Sequence, residues 1–194
     1  MSYTLFMMPD FAKSFPLRPT RVHEVCGPSA ASFAAVCGAR TQGPVLWIRE
    51  VWRPESINPL GLSIFFDPSN LLVAQVKDQN EGLAVAEEAL RDGSTPLVIQ
   101  DISEPISLIQ GRRLQLSAKE GKSTGLCIIP DGMGSNAAES RWHCAPMFDP
   151  FPQPADSTLQ RWELIKNKSG TLGSWHVRWN TASRRLHLVS ATGE

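Results

Sequence analysis

The stretch Gly27–Ala35 comes closest to a recognisable chemical motif, with a glycine and a proline after an apolar run and then small residues. In a P-loop, G-x-x-x-x-G-K-[ST], backbone N–H groups wrap the phosphates, lysine offsets their charge and the hydroxyl holds magnesium. Gly27 is retained here, but Ser32 replaces the second glycine, Phe33 the lysine and Ala34 the hydroxyl residue. A phenyl ring offsets no phosphate charge and is expected to fill the anion's space. The stretch is therefore predicted to be a degenerate nucleotide-binding loop without ATPase activity.

The same turn is also a near miss to the G-x-S-x-G nucleophile elbow of serine hydrolases, with Ser29 at the nucleophile position. Asp101 follows it, and the histidines that come later complete the chain order of a hydrolase triad: His143, His176 and His187. The elbow would follow the first strand, so no earlier strand could supply the oxyanion donor. Hydrolase chemistry is therefore disfavoured, and we predict no catalytic residues and no cofactor.

Composition limits the partners that the chain can attract. The 194 residues are 42% apolar, and 19 basic residues balance 19 acidic ones. No global field therefore draws the protein to nucleic acid or anionic lipid. No apolar run approaches the length of a membrane span, and the N-terminus lacks the basic residues and cleavage site of a secretory signal. We predict a cytoplasmic protein with no membrane partner.

The cysteines and tryptophans indicate core packing more than chemistry. The four cysteines form no CxxC pair, and Cys26 and Cys127 lie in apolar runs, so all four are predicted to be buried, reduced thiols. A zinc site using His143, Cys144 and a distant cysteine is disfavoured because the spacing fits no zinc finger. We predict no metal. Core packing is also expected for Trp47 and for the four tryptophans after residue 140.

Short apolar runs alternate with helical patterns over the first two thirds of the chain. The predicted strands are Val22–Cys26, Pro44–Arg49, Asn70–Val76, Pro96–Ile102 and Gly125–Ile129. The predicted helices run from Ser29, as N-cap, to a stop at Gly38, from an Asn80 cap to Gly93, and over Ser107–Glu120, and Leu60–Phe66 is helical or extended. Such alternation implies a parallel sheet with right-handed crossovers. Four later strands are predicted to extend it antiparallel: Ser140–Ala145, Arg161–Asn167, Trp175–Trp179 and Arg184–Ser190.

Several stretches resemble bacterial RecA recombinases in their order and spacing. The first is Leu60–Ile102, which is similar to the RecA segment from the second strand to the Walker B strand. Asp101 then takes the place of the Walker B aspartate, although Gln100 could occupy that register instead. The runs RRLQLSAKEGKSTGLCII and IKNK are similar to the later helix, strand and signature. The resemblance implies an α/β, RecA-like core: a mainly parallel twisted sheet flanked by helices, with an antiparallel C-terminal extension. We divide the chain into an N-terminal arm, 1–20, and one domain, 21–194.

Within that superfamily the chain is most similar to ImuA-type proteins, RecA relatives linked to SOS mutagenesis and grouped with SulA-like proteins. The runs that carry this are VHEVCGP, GPVLWI, EEALRDG, RRLQLSA, AAESRWHCAP and RWELIKNKSGTLGSWHVRW. The resemblance implies a non-catalytic accessory role in the DNA-damage response and translesion synthesis. The implied partners are a RecA-type recombinase, an ImuB-like homologue of Y-family polymerases, or both. A SulA-like inhibitor of cell division is the alternative.

The resemblance also assigns residues to an interface. In RecA filaments the lysines of the KNK signature reach the neighbouring subunit's ATP, and here these are Lys166 and Lys168. The chain would then keep the face that touches a neighbour's nucleotide while lacking its own nucleotide site, so it could dock on one end of a recombinase filament. The alternative is that both lysines are solvated on a strand edge, where lysine discourages aggregation.

Direct DNA binding is predicted to be weak or absent. The loop Pro130–Asn136 matches the second DNA-binding loop of RecA but has no lysine, arginine or aromatic residue. Asp131 stands at about the position of the RecA glutamine that senses the γ-phosphate. Phosphate would repel the carboxylate of Asp131. The nearest basic pair is Arg112 and Arg113, a candidate partner interface that a solvated helix face explains equally well.

Overall fold

The computed structural model describes residues 10–150, 152 and 156–189. Its first five strands are Val22–Cys26 (β1), Val45–Glu50 (β2), Leu71–Val76 (β3), Leu97–Asp101 (β4) and Thr124–Ile128 (β5). The later strands are Ser140–Pro146 (β6), Gln160–Asn167 (β7), Gly173–Asn180 (β8) and Arg185–Val189 (β9). The helices are Ala30–Ala39 (α1), Pro59–Ser63 (α2), Gln79–Asp92 (α3) and Leu108–Glu120 (α4).

The described strands form one sheet in the order β3-β2-β4-β5-β1-β6-β7-β8-β9. Strands β1 to β6 are parallel, and β6 to β9 pair antiparallel. The predicted α/β class, with a mainly parallel sheet and an antiparallel C-terminal extension, is confirmed. The carboxyl ends of β1, β4 and β5 therefore meet at one rim of the sheet, where the candidate residues follow the strands.

Two cores lie on opposite faces of the sheet. On one face α1 packs against a cluster rich in aromatic side chains, and on the other α3 and α4 cover aliphatic side chains. The tryptophans predicted to pack in the core do so: Trp47, Trp142, Trp162, Trp175 and Trp179. The sixth, Trp52, is 60% exposed. The four cysteines are free and buried, as predicted, and burial raises the pKa of the Cys26 thiol to about 12.

The described part of the predicted N-terminal arm lies against the aromatic core. A short 3₁₀ turn, Phe11–Lys13, places Phe11 5.5 Å from Phe15 between ring centroids. Phe15 is only 4% exposed, and its ring lies 5.3 Å from that of Trp162. Residues 10–20 therefore help to close the core, and residues 1–9 of the predicted arm lie outside the described residues.

Local capping differs from the sequence prediction at two helices. The cap of α3 is Asp78, whose side chain accepts from the Glu81 N–H, so the prediction of Asn80 was wrong. Asn80 lies in the first turn instead. The helix α1 ends at Ala39, within one residue of the predicted end at about Gly38, but Gly38 lies inside the helix and does not terminate it. A side chain at Gly38 would come within 2.7 Å of the Phe66 ring, so close packing explains this glycine.

The end of α3 follows the prediction. Gly93 ends α3 in the left-handed conformation, with φ of 78°. Ser107 caps α4 in a capping box with Gln110. Ser29 does precede α1, but its side chain makes no capping hydrogen bond. Within the described residues, no helix is long and apolar enough to cross a membrane.

His23 on β1 gives the fold a predicted sensitivity to acid. Its ring is 1% exposed and lies 2.6 Å from Ser140 Oγ and 2.9 Å from the Arg18 carbonyl. Burial lowers its pKa from 6.5 to about 4, so the unfolded chain binds this proton more readily. The stabilisation is complete above pH 6.5 and is lost as pH falls towards 4.

We expect His23→Gln to remove about 3 kcal/mol of the pH-dependent difference in unfolding free energy between pH 7 and 4. Urea unfolding of the variant and the native chain at several pH values between 7 and 4 measures this difference. The prediction would be contradicted if the unfolding free energies of both proteins changed equally with pH.

Candidate functional site

The candidate site lies at the carboxyl rim of the parallel strands, where open α/β sheets usually bind ligands. Three loops meet near this rim: the turn after β1, the segment after β2 and the loop after β5. The predicted turn residues, Asp101 and Asp131 are all placed here by the topology. The chemistry open to each of these residues depends on the hydrogen bonds and ion pairs that it already makes.

The turn after β1 is closed by its own hydrogen bonds. Only three residues separate β1 from α1, and Gly27 adopts a φ of +90°. The Ser29 N–H donates to the Cys144 carbonyl at 2.9 Å, and the Ala30 N–H donates to Gly27 at 3.0 Å. A side chain at Gly27 would lie 2.5 Å from the Cys144 carbonyl oxygen. Backbone donors that would wrap a phosphate in a P-loop are therefore used inside the protein.

The replaced P-loop positions are directed into the protein. Phe33 is completely buried, and its ring centroid lies 4.6 Å from Trp162 and 5.4 Å from Trp142. The expectation that this ring fills the anion's space was wrong, because it packs in the aromatic core. Ser32 Oγ accepts from Gln160 Nε2 at 2.9 Å, and Ala34 is fully buried. All three positions now serve packing.

Asp101 faces the same side of the sheet as α1, but its carboxylate is already bound. Arg49 Nε donates to it at 2.5 Å and Trp47 Nε1 donates at 3.1 Å. Gln100 points to the opposite face, where it is 2% exposed and its amide lies close to Gly82. Asp101 is therefore engaged in a structural ion pair, and Gln100 lies on the other face of the sheet.

A cleft of about 380 Å³ opens above this ion pair. Its wall is largely apolar and includes Ala31, Trp47, Ile57, Leu62 and Ile128. Two arginines, Arg49 and Arg53, also line it, together with Asp101 and Glu55. The four charges cancel, so no excess of positive charge attracts a triphosphate. Sequence reasoning missed both arginines, although Arg49 directly follows a buried apolar run.

The two lysines predicted to match the KNK signature, Lys166 and Lys168, bind the chain's own loop. Lys166 Nζ donates to the carbonyls of Ser135, Asn136 and Ala138 at 3.0, 3.0 and 2.7 Å. Lys168 Nζ donates to the Ala137 carbonyl at 2.7 Å. The strand-edge part of the alternative was wrong, because β7 pairs with both β6 and β8, but Lys168 lies just after β7 and is exposed. Burial, followed by the charge of Lys168, lowers the pKa of Lys166.

A buried ion pair of the sheet also binds the backbone of the loop after β5. Glu24 on β1 is 2% exposed, accepts from the Ser135 N–H at 2.8 Å and from Arg141 Nε at 2.8 Å. Arg141 also donates to the Ser135 carbonyl at 3.0 Å. The sequence prediction did not include this pair, whose partners lie 117 residues apart.

The residues considered for hydrolase chemistry do not come together. The Ser29 side chain makes no hydrogen bond to a histidine within the described residues. His143 is 3.4 Å from Glu163 and 3.9 Å from Asp131, whereas β6 and β7 separate β1 from the strands of His176 and His187. Asp101 is held by an arginine, as described above. The candidate triad is therefore not assembled.

The zinc alternative fails for a similar reason. His143 and Cys144 are consecutive residues of β6, so their side chains point to opposite faces. Among the described residues, no group of three potential ligands could hold a metal.

The basic pair of α4 is split between two environments. Arg113 contacts Glu87 of α3 at 2.7 Å, although it is 61% exposed. Arg112 is exposed and has no ion-pair partner among the described residues. Arg112 is therefore the arginine of this pair that remains available to a partner.

The chain matches no protein-family model and no curated protein. The resemblance described above therefore rests on its motifs.

Proposed function

We propose that this protein is a non-catalytic, RecA-like accessory factor in the DNA-damage response and translesion synthesis, acting through protein–protein contacts. The observation that carries the proposal is the closed turn after β1. The turn sits where a nucleotide would bind in such a sheet, yet Ser29 and Ala30 donate within the protein and Phe33 lies in the core. A protein that keeps this architecture without the phosphate site is suited to binding a partner.

The partners we propose are a RecA-type recombinase, an ImuB-like polymerase homologue, or both. Support comes from the ordered motifs and from the α/β sheet with its antiparallel extension. We do not place the contact on Lys166 and Lys168, because four hydrogen bonds to loop carbonyls would have to break first. The loop Pro130–Asn136 carries no positive charge, which supports weak direct DNA binding.

Binding assays with purified components test this proposal. Recombinase filaments, assembled on single-stranded DNA with a slowly hydrolysed ATP analogue, and the ImuB-like protein are immobilised separately. We expect the native chain to bind at least one of them with micromolar affinity or better, and to bind naked DNA far more weakly. The tubulin-like division protein serves as the comparison surface, since binding to it alone would indicate a SulA-like inhibitor instead.

Calorimetry with magnesium ATP provides the second arm. We expect no binding heat at millimolar nucleotide and no phosphate release with or without DNA. Saturable ATP binding, or failure to bind either proposed partner, would overturn the proposed function.

A further inference from the structure

The outer surface of α4 exposes large aliphatic side chains that the fold does not cover. Ile109 is 72% exposed, Leu116 is 67% exposed and Leu108 is 45% exposed. Ile109 and Leu116 lie one heptad apart in this helix, and both face solvent. The buried face is formed instead by Gly111, Leu114, Ser117 and Ala118.

Helical geometry gathers these exposed residues into one stripe. At 100° per residue, Arg112, Leu116 and Ile109 fall within about 60° of one another around the axis. Leu108 and Lys119 lie beside Arg112 on the flank. Scattered exposed aliphatics are common, but a contiguous set on one helix face marks an interaction site. We call this stripe, made of Leu108, Ile109, Arg112, Leu116 and Lys119, the α4 face.

The charges available on the α4 face are positive. Arg112 and Lys119 have no ion-pair partner among the described residues, and they lie two turns apart on the same side of the helix. The neighbouring charges are engaged: Arg113 contacts Glu87, and Glu120, which falls about 20° from Ile109 around the axis, lies 3.6 Å from Arg91. A partner can therefore meet two free cations beside three aliphatic side chains.

We infer that the α4 face binds an acidic amphipathic helix of a partner protein. Aliphatic residues of that helix would pack between Ile109 and Leu116, and carboxylates at its border would pair with Arg112 and Lys119. This arrangement is the helix-on-helix mode of peptide recognition, with apolar anchors at the centre and charges that set the register. The inference holds whichever protein supplies the helix, so it does not rest on the proposed function.

The side chains favour a protein partner over nucleic acid or a membrane. Nucleic acid binding uses many cations and stacking aromatic rings, but this face offers two free cations and no aromatic residue. Recognition of anionic lipid uses clusters of about four to eight cations, more than the two that are free on this face. A partner helix can instead position its acids over the two cations alone.

Site-specific photo-crosslinking in cells treated with a DNA-damaging agent identifies the segment. Benzoylphenylalanine is placed at Ile109 or Leu116, with Leu60 as matched control because it is an 80% exposed leucine of α2. We expect both α4 positions, and not Leu60, to crosslink one segment with acidic and aliphatic residues at helical spacing. Crosslinks no stronger than those of the control, crosslinks to a second copy of this chain, or crosslinks to nucleic acid would overturn the inference.

Affinity measurements with a synthetic peptide of the crosslinked segment complete the test. We expect Ile109→Glu with Leu116→Glu to weaken binding about 30-fold or more, the loss of one strong hot spot. Ile165→Glu, an exposed isoleucine on β7, should leave affinity unchanged. Arg112→Glu with Lys119→Glu should also weaken binding, and charge reversal in the peptide should restore it. Unchanged affinity in the α4 variants, at unaltered melting temperature, would contradict the inference.

Two further probes separate the alternatives. Vesicles containing phosphatidylserine and a labelled oligo(dT) are offered to the native chain and to the Ile109→Glu, Leu116→Glu variant. If the native chain binds either probe and the variant does not, the α4 face would be reassigned to lipid or nucleic acid. A segment from a protein unconnected with recombination or translesion synthesis would instead weaken the proposed function and leave this inference intact.

Discussion

Phe33→Lys, the change that would place a lysine at the predicted P-loop position, is expected to destabilise the protein strongly without creating a nucleotide site. Phe33 is completely buried between Phe15, Trp142 and Trp162. Truncating a buried phenylalanine costs about 3–5 kcal/mol, and an unpaired buried ammonium adds to that cost. Because ordinary domains are stable by only about 5–15 kcal/mol, we expect a loss of at least about 4 kcal/mol and partial unfolding at 37 °C. Guanidinium denaturation followed by tryptophan fluorescence measures it.

Ala31→Lys provides the matched control for this prediction. It adds the same charge two residues earlier in α1, at an exposed position. Its effect on the unfolding free energy should stay within about 0.5 kcal/mol. If Phe33→Lys were as stable as the control and bound magnesium ATP, the ring would have to leave the core, and the degenerate-loop interpretation would be wrong.

The fold could be predicted from the sequence because its signals are local. Each apolar run of β1 to β5 is bounded by glycine, proline or polar residues, and the capping box at Ser107 lies within four residues. These signals locate most of the elements to within a residue or two, although the predicted piece Leu60–Phe66 runs three residues past the end of α2 at Ser63. The α3 cap was misplaced for an equally local reason, since Asp78 and Asn80 are both good caps and only their backbone conformations separate them.

The candidate site could be predicted only in part, because its contacts join distant segments. Residue types alone led to the prediction of a degenerate loop, but the direction of Phe33 depended on aromatic residues more than 100 positions away. The lysines Lys166 and Lys168 were assigned to a partner by position, whereas the carbonyls they bind come from a loop about 30 residues earlier. The spacing of apolar residues along the chain carries no information about hydrogen bonds between distant segments. A lysine can therefore be identified from the sequence, whereas the carbonyl groups that it binds cannot.

The buried pair of Glu24 and Arg141 binds the backbone of the loop after β5. The loop has no helix or strand of its own over residues 130–139, and it contains two glycines. Its polar backbone is instead satisfied by side chains of the sheet: Glu24 accepts from the Ser135 N–H, and Arg141 donates to the Ser135 carbonyl. Removing one member should therefore affect both the stability of the sheet and the order of the loop.

Arg141→Met is expected to lower the unfolding free energy by about 3 kcal/mol, because it leaves the Glu24 carboxylate buried without its cation. The double variant Glu24→Gln, Arg141→Met should recover part of this loss, since a neutral amide can still accept from Ser135. Arg161→Met, on the neighbouring strand, removes an arginine that is 46% exposed and should cost less than about 1 kcal/mol. Hydrogen exchange should quicken at the Ser135 amide in Arg141→Met and not in Arg161→Met. Equal stability of the two single variants, with the Ser135 amide still protected in both, would mean that the loop is held by the lysines alone.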